Sequence, residues 1–139
     1  MGMRCRPNTR AGLFYLAAIV LFLLFAGPVW SADVKIANAV VCRAVDDRQP
    51  VDAATEFPAS VGKVFCYTVI EAASPPAQIA HLWYYQDKLV HEFTLPVHAA
   101  RFRTWSSKNI FPGMTGQWRV DIVDASGKTI IGSVSFRIH

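Results

Sequence analysis

Two patterns of hydrophobic residues divide this chain. From Ala11 to Trp30 there is no charged residue, and apolar side chains run without period through Leu13-Phe14-Tyr15-Leu16 and Ile19 to Phe25. From Val34 onward apolar and polar positions alternate, in β-branched and aromatic runs separated by Gly, Pro, Asp and Ser. A period of two puts successive side chains on opposite faces of a strand, so this second part reads as β structure. The runs predict seven strands: Val34 to Val45, Val61 to Ile70, Ile79 to Gln86, Leu89 to Leu95, Arg101 to Ser106, Gln117 to Val123 and Thr129 to Ile138. Seven strands in about 105 residues suit an all-β, immunoglobulin-like antiparallel β-sandwich. Gln86-Asp87-Lys88-Leu89 is short enough for a hairpin, and Asp124-Ala125-Ser126-Gly127 is a turn with Gly available for positive φ. Asp46 to Ser60 is the longest connection, and Asn109 to Thr115 is another loop.

The first pattern reads as an export helix. Arg4, Arg6 and Arg10 precede the apolar stretch, and Pro28 breaks it near its end. Its strongest part, Ala11 to Ala26, is 16 residues, slightly long for a signal peptide core and slightly short for a span of about 20. Val29-Trp30-Ser31 suits cleavage before Ala32, which divides the chain into a signal peptide or membrane anchor, 1–31, and a domain, 32–139. In either case the arginines stay on the cytoplasmic side and the domain lies beyond the inner membrane, periplasmic, secreted or anchored there. Any membrane contact is expected only through the uncleaved segment. No cysteine follows the apolar run, so a lipid attachment site is absent.

The remaining 108 residues suffice for one domain with one core. Three of the chain's 14 basic residues belong to the export segment, leaving 11 against 10 acidic residues, a net charge of +1. Nothing in that balance suggests nucleic acid as a partner. Cys42 and Cys66 each sit in a strand-like apolar run. Outside the cytoplasm such a pair reads first as a disulfide, closing a loop of about 25 residues worth roughly 3–4 kcal/mol. The alternative is two separate buried thiols.

Several motifs follow one another along the domain: Arg43, Arg48-Gln49-Pro50-Val51, Val61-Gly62-Lys63-Val64-Phe65-Cys66-Tyr67-Thr68, His81-Leu82-Trp83-Tyr84-Tyr85, Arg103-Thr104-Trp105-Ser106-Ser107-Lys108 and Thr115-Gly116-Gln117-Trp118-Arg119-Val120-Asp121. In order and spacing they resemble a bacterial domain-of-unknown-function family, number 2914, over nearly the whole domain. The resemblance implies an envelope-associated β domain. It carries over no activity and no functional residue.

Alternation along Arg101-Phe102-Arg103-Thr104-Trp105 places both arginines and Trp105 on one face. If Phe102 enters the core, Trp105 points out. With Lys108 just beyond, Arg101, Arg103 and Trp105 form a candidate surface for a sugar or anionic ligand, through ring stacking and guanidinium forks. The competing reading is structural: arginines stacked over Trp105 or paired with carboxylates. A two-residue turn at Asp87-Lys88 would put Leu82, Tyr84, His91 and Phe93 on one face and His81, Trp83, Tyr85 and Glu92 on the other. In that register Trp83 and Tyr85 form an aromatic strip outside the core. The sandwich analogy instead puts Trp83 inside, and that reading is preferred. Trp118, alternating with Gln117 and Arg119, belongs to the core.

Neither metal nor catalytic signals are strong. His81, His91, His98 and His139 lack metal-ligand spacing, and Asp46, Asp47, Asp52 and Glu56 lack the pattern of a calcium loop, so no metal or other cofactor is expected. Ser106-Ser107-Lys108 lacks the Ser-x-x-Lys spacing of acylating enzymes. The sequence therefore points to a non-enzymatic envelope module whose partner is another envelope protein. The alternative partner is a cell-wall glycan or anionic envelope polymer, bound through the Arg/Trp surface.

Overall fold

The computed structural model describes residues 33–139; the apolar segment expected to direct export, and the cleavage point expected after it, lie outside the described residues. Ten strands appear: β1 (Val34–Cys42), β2 (Ala44–Asp46), β3 (Gln49–Val51), β4 (Glu56–Phe57), β5 (Lys63–Ala72), β6 (Ala77–Tyr85), β7 (Lys88–Val97), β8 (Arg101–Asn109), β9 (Gly116–Asp124) and β10 (Ile130–Ile138). The seven long ones correspond to the seven expected runs. The other three fall around the connection read as a loop, where β2 and β3 form a hairpin and β4 adds to β10 in parallel.

Three sheets result, ordered β1-β5-β8, β4-β10-β9-β6-β7 and β2-β3. All long pairings are antiparallel. The first two sheets share a core to which both contribute. Val41, Val64 and Cys66 from the three-stranded sheet meet Trp83, Trp118, Val120, Phe136 and Ile138 from the five-stranded one. Phe136 is its hub, stacked on Trp118 at 5.9 Å and edge-on to Trp83 and Phe57 at 6.2 and 6.1 Å. Trp83 and Trp118 are both fully buried, as expected. A second cluster, Val34, Ile70, Ile79, Val97 and Ile122, fills the other end. There β1 and β10 approach closely: a Cβ on Gly132 would stand 3.1 Å from Ile36 Cγ1, so a larger residue would have to displace the Ile36 side chain by a few tenths of an ångström.

The β6–β7 hairpin corrects the expected register. Its turn is Gln86-Asp87, one residue earlier than read from the sequence, with both residues at positive φ as a type I′ turn requires. Trp83 then faces His91 while Tyr84 faces Leu89, which leaves Val90 as an extra residue. That bulge reverses the alternation. His91 and Phe93 consequently share the face of Trp83 and His81, and Phe93 packs against the core.

The expected disulfide is absent, and the register explains why. Cys66 pairs with Val41 and Cys42 with Phe65. Partners across a ladder share a face, so the two cysteines point to opposite sides of the sheet. Cys66 joins the inter-sheet core, whereas Cys42 packs with Tyr67 and Val69 beneath the β2–β3 hairpin. Both are buried thiols, and burial raises both pKa values, that of Cys66 to about 12.

Candidate functional site

β8 determines what the three-stranded sheet shows to solvent. It pairs with β5 without a register break, Glu71 opposite Arg101, Val69 opposite Arg103, Tyr67 opposite Trp105 and Phe65 opposite Ser107. Arg101, Arg103 and Trp105 are exposed on the outer face, while Thr104 and Ser106 are buried on the inner one and Phe102 is half-buried against the second core cluster. The expected alternation therefore holds for three of the four surface residues. Lys108 pairs with Val64, a core residue, so it stands on the side opposite Trp105 and does not complete the patch.

The patch is also less cationic than its composition suggests. Arg101 Nη1 donates to Glu71 Oε1 at 2.7 Å, which occupies that guanidinium in a surface pair. These two residues, with Asp33 and Lys35, line a shallow hollow at the end of the sheet. Among the described residues Arg103 has no carboxylate partner. Trp105 lies against Tyr67, rings stacked with centroids 6.2 Å apart, and remains 36% exposed. Tyr67 is itself fixed, because its hydroxyl donates to the Arg48 carbonyl at 2.9 Å. The β2–β3 hairpin thus locks the ring on which Trp105 rests. No sequence spacing pairs Tyr67 with Trp105; only strand register does.

On the inner side of β8 lies a polar network that sequence reading missed. Trp83 Nε1–H donates to Ser106 Oγ at 3.0 Å, and Ser106 Oγ lies 2.7 Å from His81 Nδ1. His81 Nε2 lies 3.3 Å from Thr68 Oγ1, which donates to the Thr104 carbonyl at 3.2 Å. One assignment gives every donor an acceptor: the Ser106 hydroxyl donates to Nδ1, and Nε2 carries the proton and donates to Thr68. His81 is fully buried, and desolvation lowers its pKa to about 4, so it is neutral at pH 7. A serine within hydrogen-bond reach of a histidine has the distance of a nucleophile and its base. Here Ser106 is buried and accepts from Trp83, so the arrangement ties β8 of the three-stranded sheet to β6 of the five-stranded one. The alternation of His81 with Ile79 and Trp83 was the available signal.

The outer face of the five-stranded sheet carries a second cluster. Arg119 donates from Nε to Asp121 at 3.0 Å and from Nη1 to Asp87 at 2.7 Å, and its guanidinium lies 4.4 Å from the Tyr84 ring centroid. Asp121 also accepts from Ser133 at 2.8 Å. Those pairs raise the Arg119 pKa, with Asp87 the largest cause, and every charge in the cluster is engaged.

Residues 76–138 match the family model described as "Protein of unknown function (DUF2914)". The chain carries a DUF2914 segment. It spans β6 to β10, and so includes His81 to Tyr85, Arg103 to Lys108 and Thr115 to Asp121 among the motifs that suggested the resemblance. The motifs around Arg43, Arg48 and Val61 to Thr68 precede it. No match to the chain is found among curated proteins. The DUF2914 segment therefore holds β8 and most of the buried network, while Tyr67 and Thr68 are supplied by β5.

Proposed function

We propose that this protein is an exported, non-enzymatic interaction module that presents the outer face of the β1-β5-β8 sheet to another envelope protein. The observation that carries the reading is Trp105, held half-open on Tyr67 beside the exposed Arg103, which has no carboxylate partner among the described residues. A rigid aromatic next to an arginine is the composition of an interface anchor. Export and an envelope location rest on the arginine-led apolar segment 4–30. The immunoglobulin-like reading is supported by strand order: β1-β5-β8 opposes a sheet whose four long strands run β10-β9-β6-β7, with the two-residue β4 added at the β10 edge.

Binding of a cell-wall glycan or anionic polymer is the second reading, and the Arg103–Trp105 pair is the observation that favours it. It is the weaker one, because Arg101 is occupied by Glu71 and Lys108 stands on the other side.

A photo-crosslinking residue placed at Ser107, on the Trp105 face, tests the first reading against one at Ser135, on the five-stranded sheet. A discrete protein adduct from position 107 and none from 135 is expected in intact cells. Identical adducts from both positions, or none, would overturn it. Co-sedimentation with peptidoglycan that is saturable and lost in Trp105→Ala would select the glycan reading instead.

A further inference from the structure

Every sheet edge exposes backbone N–H and C=O groups that invite another strand, and folded proteins ordinarily blunt such edges. Most edges of this domain are blunted. β7 contains Pro96 and the bulge at Val90. β1 has a register break between Ile36 and Asn38 and lies against β10. β4 is two residues long, and β3 contains Pro50. β8 differs: nine residues, no proline, no bulge, hydrogen-bonded to β5 on one side only.

Charge is the one guard left on this strand, and that guard has a sign. β8 contains Arg101, Arg103 and Lys108 and no acidic residue. Arg101 is neutralised by Glu71, while Arg103 and Lys108 have no carboxylate partner among the described residues. A second copy of β8, paired antiparallel about Trp105, would gather the basic side chains of both copies along one seam with nothing acidic on either strand to face them. An acidic strand meets the opposite situation.

We propose that β8 accepts an extended acidic segment of a partner protein as a fourth strand of the β1-β5-β8 sheet. The segment places one carboxylate opposite Arg103 on the outer face and a second, five positions away, opposite Lys108 on the other face. The residue between them that meets Trp105 is apolar or β-branched. Main-chain hydrogen bonds supply affinity, the two charges set register, and Trp105 on Tyr67 is the anchor. This deepens the interaction-module reading and rests on it.

The test uses the full chain and the labelled peptide Thr-Glu-Val-Thr-Val-Thr-Glu-Val-Thr, whose glutamates sit opposite Lys108 and Arg103 in antiparallel register. Fluorescence anisotropy compares it with two controls, one with lysines replacing both glutamates and one with the glutamates moved to adjacent positions. Binding of the first peptide at least about tenfold tighter than either control is expected. Arg103→Glu/Lys108→Glu should reverse the preference toward the lysine peptide, and amide resonances along β8 should shift on binding. Equal binding of the adjacent-glutamate peptide would mean diffuse charge attraction and overturn the proposal. So would a chain that is dimeric in solution and becomes monomeric in Arg103→Glu. If the acidic peptide fails while the crosslink from position 107 forms, strand addition is refuted and the interaction module stands. If both fail, both readings fall.

Discussion

Acidification should weaken this fold through one residue. Buried His81 has its pKa lowered from near 6.5 to about 4, so the neutral ring is the folded form, and the unfolded chain binds a proton first as pH falls. The sign follows from linkage: stability is complete above pH 6.5 and is lost as pH drops from there towards 4, with little further loss below. A separation of about 2.5 units at 1.36 kcal/mol each amounts to roughly 3 kcal/mol, of which about 2 is gone by pH 5. Out of a typical total of about 5–15 kcal/mol this is a large fraction. The cause is burial, which would strip the charged ring of its water.

Urea unfolding at pH 7, 6 and 5 measures the effect, and His81→Gln isolates it. Glutamine can donate to Thr68 and accept from Ser106 without titrating, so the variant is expected to unfold earlier at pH 7 but to lose less stability on acidification. The wild-type midpoint should fall towards the variant's by pH 5 with unchanged slope. Parallel pH profiles for the two proteins would refute the assignment of acid sensitivity to His81.

Three further outcomes follow from the packing. Ser106→Ala strands Trp83 Nε1–H and His81 Nδ1 and should cost about 1–3 kcal/mol, and its combination with His81→Gln should be non-additive by at least about 0.5 kcal/mol in thermal or urea unfolding. Reductant should leave the unfolding midpoint unchanged, and Ellman's reagent should reach Cys42 and Cys66 only in denaturant, because burial keeps both as thiols. Arg119→Ala removes a partner from the nearly buried Asp121 and should cost about 1–3 kcal/mol, whereas Arg101→Ala breaks a pair exposed on both sides and should cost less than about 1 kcal/mol.

Period-two alternation and β-branched or aromatic runs were enough to locate all seven long strands. Strands that bury one face, such as β7 and β8, show the alternation, whereas β5 and β9 are buried on both faces over their centres and show the apolar run. Alternation also placed Arg101, Arg103 and Trp105 together. What it could not supply is the pairing between strands. The Val90 bulge moved His91 and Phe93 to the core side without any proline or glycine to mark it. A single step of register between β1 and β5 separated Cys42 from Cys66, although both lie in apolar runs. Likewise Thr68, His81 and Ser106 come from three strands, and each alone resembles an ordinary polar residue in a β segment.

Inner and outer sides of β8 depend on one another. Edge strands are the parts of a sheet that fray and slip most easily, since they have half the hydrogen bonds of a central strand. β8 is held against slippage by what it buries. A shift of one residue would carry Ser106 outward and leave both Trp83 Nε1–H and His81 Nδ1 unpaired in the core, and it would turn Trp105 off Tyr67 into a space shaped for a serine. The polar network therefore fixes the register in which Arg103 and Trp105 face solvent. A defect in that network should show at the surface as well as in stability: Ser106→Ala should loosen Trp105, read as a red shift of tryptophan emission that is lost in a Trp105→Phe background. If emission stays unchanged while the domain is destabilised, the network supports the core alone and the coupling between the two faces of β8 is wrong.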